Sequence, residues 1–150
     1  MKLQLKHLAP YLPYGLKVKK DADKLISEVK GLESSKHKDY FWIKYEKPTK
    51  IAKLYLTETS SILKPILRPL SDLTKEIDHN GKKFVPMKVF YELFGGGYMS
   101  YKGFINCQLP DFNMPLIGLR YDIIQQLLEW HFDIFGLIEN GLAIDKKTIS

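Results

Sequence analysis

Apolar and polar residues alternate one for one in GLKVK, residues 15–19, so that Leu16 and Val18 fall on one side of an extended chain and Lys17 and Lys19 on the other. The same period runs through DYFWIKYEK (39–47) and KIAKLYLT (50–57), which predicts two strands joined through Pro48 and Thr49 as a hairpin turn. Between these stretches DADKLISEVKGLE (21–33) changes period. Ala22, Leu25, Ile26 and Val29 share a helical face, Asp21 stands at the N-cap position and Gly31 at the stop, so a short amphipathic helix is expected there.

Prolines punctuate the middle of the chain. In ILKPILRPLSDLTKEI (62–77), Pro65 and Pro69 remove backbone donors and exclude a regular helix before Leu70, which predicts an extended, edge-like segment followed by a helical turn capped by Ser71. Asn80-Gly81 tolerates positive φ and suits a two-residue hairpin turn between Glu76–His79 and Lys82–Val85. Pro86 is placed to open a helix, MKVFYELF, that the glycines at 95–97 would end. Gly95 to Pro115 is rich in Gly, Tyr and Pro without a sustained period and reads as a long loop.

The strongest helical pattern is YDIIQQLLEWHFDIFGLIENGLAID, Tyr121 to Asp145. Asp122, Gln126, Glu129, Asp133 and Asn140 fall on one stripe, while Ile124, Leu127, His131, Ile134, Phe135 and Ile138 lie opposite. Trp130 and Phe132 widen the apolar arc to about 200°, more than one sheet face needs, which suggests a helix wedged between two layers. Asn140-Gly141 is its expected cap, with Gly136 an earlier possible end. His131 sits at the centre of the apolar face, so it is expected to be a core histidine with its ring nitrogens bonded to backbone or a tyrosine; a functional histidine is the alternative. Together these elements predict a single α+β domain over residues 1–150: a small antiparallel β-sheet packed against an amphipathic C-terminal helix.

Composition narrows the setting. A chain of 150 residues, 45% hydrophobic, is large enough for one well-buried core. Cys107 is the only cysteine, so no intrachain disulfide or thiolate cage forms, which favours a reducing, cytoplasmic location. Lys6, His7 and two prolines break up the apolar start, and no run nears the roughly 18 apolar residues of a membrane span, so no membrane partner is expected. The net charge of +6 is uneven. Residues 1–60 carry 13 lysines against 7 carboxylates, whereas residues 105–150 carry 3 cations against 6. A basic front half is what attraction to phosphate requires.

Candidate chemistry is thin. Cys107 in INCQLPDF has no base partner marked by sequence, and the glycines of ELFGGGYMSYKG follow a helix and lack the lysine spacing of a phosphate-cradling loop. Glu129 and Asp133, one helical turn apart, read as a solvated acidic face. The expectation is therefore a non-enzymatic protein with no catalytic residue, no metal ligand and no cofactor. The clearest signal is a surface. If Leu16, Val18, Phe41, Ile43, Ala52, Leu54 and Leu56 face the core, the pleat sends Lys17, Lys19, Trp42, Lys44, Lys53 and Tyr55 to the other face. Cations interleaved with flat rings are what single-stranded nucleic acid binds, phosphates on lysine and bases stacked on aromatics.

The phrases HLAPYLPYGLKVK, KPILRPLSDLTKEI, NGKKFVP and LLEWHFDIFGLIENGLAID resemble uncharacterised small proteins encoded by phages and prophages of intestinal bacteria, over roughly half of the chain. The resemblance implies a role in a mobile element's life cycle, inside a bacterial host cell, and brings no catalytic residue with it. Two functions follow as expectations. One is an accessory protein that binds single-stranded nucleic acid non-specifically. The other is a protein-interaction or structural adaptor for a phage or host protein, using the proline segment Leu63–Leu70 or the loop Gly95–Pro115.

Overall fold

The computed structural model describes residues 1–20, 25–34, 40–47, 50–57, 63–95, 100, 102–103 and 120–149. A short helix α1 (Leu5–Leu8) runs into a 3-10 turn (Ala9–Tyr14), and Gly15 in the left-handed region (φ 71°) turns the chain into strand β1 (Lys17–Lys20). There follow β2 (Ile26–Ser34), β3 (Tyr40–Lys47), β4 (Lys50–Thr57) and β5 (Leu63–Leu67). Another 3-10 turn (Leu70–Asp72) leads to the hairpin β6 (Ile77–His79) and β7 (Lys82–Phe84). Helix α2 (Pro86–Phe90), continued by a π-helical turn (Tyr91–Gly95), helix α3 (Tyr121–Glu129), strand β8 (Ile144–Asp145) and a last 3-10 turn (Lys146–Ile149) complete the described elements. No helix among them is long and apolar enough to cross a membrane.

The main sheet has six strands in the order β4-β3-β2-β1-β5-β8, antiparallel except for the β5–β8 pair. With helices packed on it, the molecule is the α+β arrangement that the alternating strand patterns imply. Two apolar clusters hold it together. Tyr11, Leu16, Val18, Ile43, Leu63 and Leu67 belong to the first, against which the sheet's inner face packs. Leu73, Ile77, Met87, Phe90, Leu127, Trp130 and Phe132 form the second, between the β6–β7 hairpin, α2 and α3. Helix α3 contributes Leu128 to the first and Ile123 and Leu127 to the second, and Ile134 packs against both. The helix thus packs against both clusters, although Trp130 and Phe132, which widen the expected apolar arc, lie beyond its last residue.

Residues 26–34 depart from the helical expectation. They form β2, paired to β1 through Lys17↔Glu28 and Lys19↔Ile26 and to β3 through Leu32↔Ile43. Burial alternates: Ser27 and Val29 are buried, whereas Ile26 is 42% exposed and so cannot belong to a buried helical stripe. A helix of that length is marginal alone, whereas strand pairing satisfies backbone groups on both flanks. Asp21 and Ala22, on which that helix relied, lie outside the described residues.

The proline segment is extended, as expected, but not an edge strand. β5 pairs with β1 through Leu63, Lys64 and Pro65, then with β8 through Ile66 and Leu67. Each half therefore has one partner, which leaves room for a proline that donates no hydrogen bond. Ser71 lies inside the following 3-10 turn, whose N-cap is Pro69. The Asn80-Gly81 turn is as expected, with φ of 53° and 78°, and Pro86 opens α2. The β3–β4 hairpin forms with Lys47 opposite Lys50, while its turn residues Pro48 and Thr49 lie outside the described residues, as do Cys107 and most of the segment from Gly95 to Pro115.

The last helix is shorter than its pattern. α3 stops at Trp130, far before Gly136 or Asn140, because His131 takes a left-handed conformation (φ 60°) and the chain turns to run beside Arg68. Arg68 N donates to His131 O (2.8 Å) and Asp133 N to Arg68 O (2.7 Å). Asp133 is accordingly no part of an acidic stripe. It is 5% exposed, and its carboxylate accepts the backbone N–H groups of Phe135, Leu137 and Ile138 at 3.3, 2.9 and 2.7 Å.

Candidate nucleic-acid interface

The inner face of β1 and β3 is apolar as the alternation demands: Leu16, Val18, Phe41 and Ile43 are all buried. Their neighbours point the other way. Lys17 and Lys44 are exposed, and Lys19 and Trp42 are half-buried. The β3–β4 register sets Trp42 opposite Tyr55 and Lys44 opposite Lys53, so the positions named from the sequence on these two strands are direct cross-strand neighbours. The β1–β5 register adds a residue that sequence reasoning missed. Lys64 stands directly opposite Lys19. The lysine was visible in KPILRP, but nothing in the sequence said that this segment lies beside β1.

Between the two basic groups runs β2, and it carries carboxylates. Glu28 is opposite Lys17 and ion-pairs with Lys30 at 2.8 Å, and Glu33 is opposite Trp42 and lies 3.6 Å from Lys44. These are half-exposed pairs of the kind that contribute at most about 1 kcal/mol and break readily for a better partner. The face is therefore a mixed one, with an excess of cations along β1, β3 and β5.

His131 behaves as a packed histidine. Its Nε2 lies 2.9 Å from the carbonyl oxygen of Tyr14, and its ring is tilted against His79 at 5.8 Å between centroids. Burial, then the nearness of His79, hold its pKa down to about 4. Burial also lowers His79, with Arg68 and Lys146 adding to the effect. Lys146 is lowered by burial and then by Arg68 and Lys17. Arg68 and Lys146 are thus two cations whose charges act on His79 and His131, a pair of rings held toward the neutral form. Arg68, His79 and Lys146 were not singled out from sequence, because contacts between residues 68, 79, 131 and 146 depend on how the chain closes. Among the described residues, no three His, Cys, Asp or Glu side chains are grouped to hold a metal ion. Compared with protein-family models, curated proteins and solved structures, the chain matches none.

Proposed function

We propose that this protein binds single-stranded nucleic acid with little sequence preference, through the outward sheet face carrying Lys17, Lys19, Trp42, Lys44, Lys53, Tyr55 and Lys64. It acts as a binding protein rather than an enzyme, and the phrase-level resemblance makes a phage or mobile-element accessory in a host cytoplasm its setting. One observation supports this reading above others: two lysine pairs, Lys19–Lys64 and Lys44–Lys53, stand directly opposite each other across neighbouring strands. Like charges so placed are destabilising, and a bound polyanion removes that repulsion. The adaptor reading loses one of its surfaces, since Leu63, Pro65, Ile66 and Leu67 are all buried.

Titration with a fluorescent oligonucleotide at increasing salt tests the proposal. Three or four neutralised phosphates give a log–log slope of roughly −2 to −3, and the double variant Lys17→Ala/Lys44→Ala should flatten it by about 1.4. Trp42→Ala should weaken binding and leave the slope nearly unchanged, because stacking is less salt-sensitive. An oligonucleotide that fails to saturate the protein at low salt would refute the proposal, and a host or phage protein captured after nuclease treatment would then support the adaptor.

A further inference from the structure

The alternation that sends Leu63 and Leu67 into the core sends Lys64, Ile66 and then Arg68 to the outward side. Arg68 is only 6% exposed. Its Nε donates to the carbonyl oxygen of Trp130 at 3.2 Å and its Nη2 to that of Asp78, and among the described residues no carboxylate lies within ion-pair distance of it. Burial disfavours the charged form of Arg68, while the charges of Asp72, Asp78 and Asp145 favour it from beyond ion-pair distance, so its direct partners are neutral carbonyls.

The nearby carboxylates are engaged elsewhere. Asp72 accepts from Lys75 (3.0 Å) and Lys147 (2.7 Å), Asp145 from Lys147 N (2.9 Å), Asp78 from Gly81 N (3.2 Å) and Glu129 from Gln126 (3.1 Å). The His79 ring packs on His131 and makes no hydrogen bond among the described residues. A carbonyl oxygen only accepts, so Nε2 of His131 carries its proton and fixes that ring's tautomer. The parallel register, Leu67 beside Asp145, brings exposed Lys146 alongside Arg68.

We propose that Arg68, His79 and Lys146, with His131 backing the His79 ring, form a seat for a phosphate group. Guanidinium, imidazole and ammonium are the donors that phosphate oxygens take, and an anion seated there would pair directly with a guanidinium that otherwise has only the more distant charges of Asp72, Asp78 and Asp145. The seat lies just past the end of β5, four residues beyond Lys64 on the same side of the strand, with buried Ile66 between them, and so lies near the proposed nucleic-acid face. The inference relies on that reading only for the source of the phosphate: a strand terminus in one case, free phosphate in the other. A bound phosphate should favour the charged form of His79 against Arg68, Lys146 and His131, with Asp78 and Glu129 the facing carboxylates.

Histidine ring resonances followed by NMR during titration with sodium phosphate, with sodium chloride at matched ionic strength as control, test the seat directly. Phosphate should shift the His79 resonances and raise its pKa, and chloride should not. In parallel, a 5′-phosphorylated oligonucleotide should bind about five-fold tighter than its 5′-hydroxyl twin. Lys146→Ala and His79→Ala, each checked for an unchanged circular dichroism spectrum, should reduce that ratio to below about two-fold. A phosphate-specific shift with no oligonucleotide binding supports the seat with free phosphate as ligand and overturns the sheet-face reading. Equal effects of phosphate and chloride overturn the seat, whatever the oligonucleotides do.

Discussion

His131 shows how much one residue settles. Its ring is bonded to Tyr14, its main chain to Arg68, and its positive φ ends α3. The folded protein holds the imidazole neutral, with a pKa near 4 against an ordinary 6.5. A lowered histidine pKa contributes stability that is complete above about pH 6.5 and is lost as the pH falls from there through 4, since the unfolded chain takes up the proton first. The size is on the order of 3 kcal/mol. Denaturant melts of the wild type and His131→Gln from pH 7.5 to 4 should therefore converge as the pH falls; a constant gap between them would mean that the ring's burial contributes nothing to the pH dependence. Asp133 makes a second case. Asp133→Ala leaves three backbone N–H groups without their acceptor, one of them in buried Leu137, and should cost about 1–3 kcal/mol, whereas Asp133→Asn keeps one acceptor oxygen and should cost less. That the His131 ring is bonded to backbone was legible from its apolar neighbours; that it is half-buried and ends the helix, and does not centre its apolar face, was not. The role of Asp133 was not, because a helical wheel projects it to solvent and only the turn at His131 brings it inward.

At the scale of elements, periodicity served best where partner strands are adjacent in sequence. β3 and β4 alternate cleanly and pair across a short connection. β2 was misread because Leu25, Ile26 and Val29 fit a helical spacing, while the fact that decides it, the buried Ser27 beside an exposed Ile26, exists only once β1 and β3 flank the segment. α3 was overextended for the opposite reason: apolar residues continue past Trp130, but they serve turns that pack on both clusters. Within α3, Leu127 is fully buried in the second cluster, and Leu127→Ala should cost about 2–5 kcal/mol in a denaturant melt, more if the cavity stays open. A loss below 1 kcal/mol would show that the helix packs by another face. The opposed lysines make a prediction of unusual sign. Lys19→Ala should raise the stability of the unliganded protein by roughly 0.2–1 kcal/mol, because it removes a like-charged neighbour of Lys64, and should at the same time weaken oligonucleotide binding. A variant that loses stability would mean that Lys19 stabilises the sheet by its own contacts, and the repulsion argument would fail.

Among the described residues the molecule has two apolar clusters, and the sequence could suggest only that one helix lies between layers. Which residues belong to which cluster depends on long-range closure: Tyr11 donates to the carbonyl of Phe132 at 2.6 Å, and Arg68 bridges Phe132. Burial drives the Tyr11 phenol well above its ordinary pKa, so this bond stays protonated throughout the accessible pH range. These ties, with Leu128, Leu127 and Ile134 divided between the clusters, couple the sheet to the hairpin–helix layer, and a chain so coupled should unfold as one unit. The two tryptophans are placed to test it. Trp42 lies on the sheet and Trp130 in the second cluster, against Phe84 and Phe90 at 5.0 and 5.3 Å. In Trp42→Phe the fluorescence reports the second cluster alone, while far-ultraviolet circular dichroism reports the whole chain. Coincident midpoints and slopes in urea are expected from a single cooperative domain. If the Trp130 signal moves at lower denaturant than the dichroism, the hairpin–helix layer melts first, and the phosphate seat, which takes Arg68 and Lys146 from the sheet side and His79 and His131 from that layer, should then be lost before the lysine face of β1 and β3.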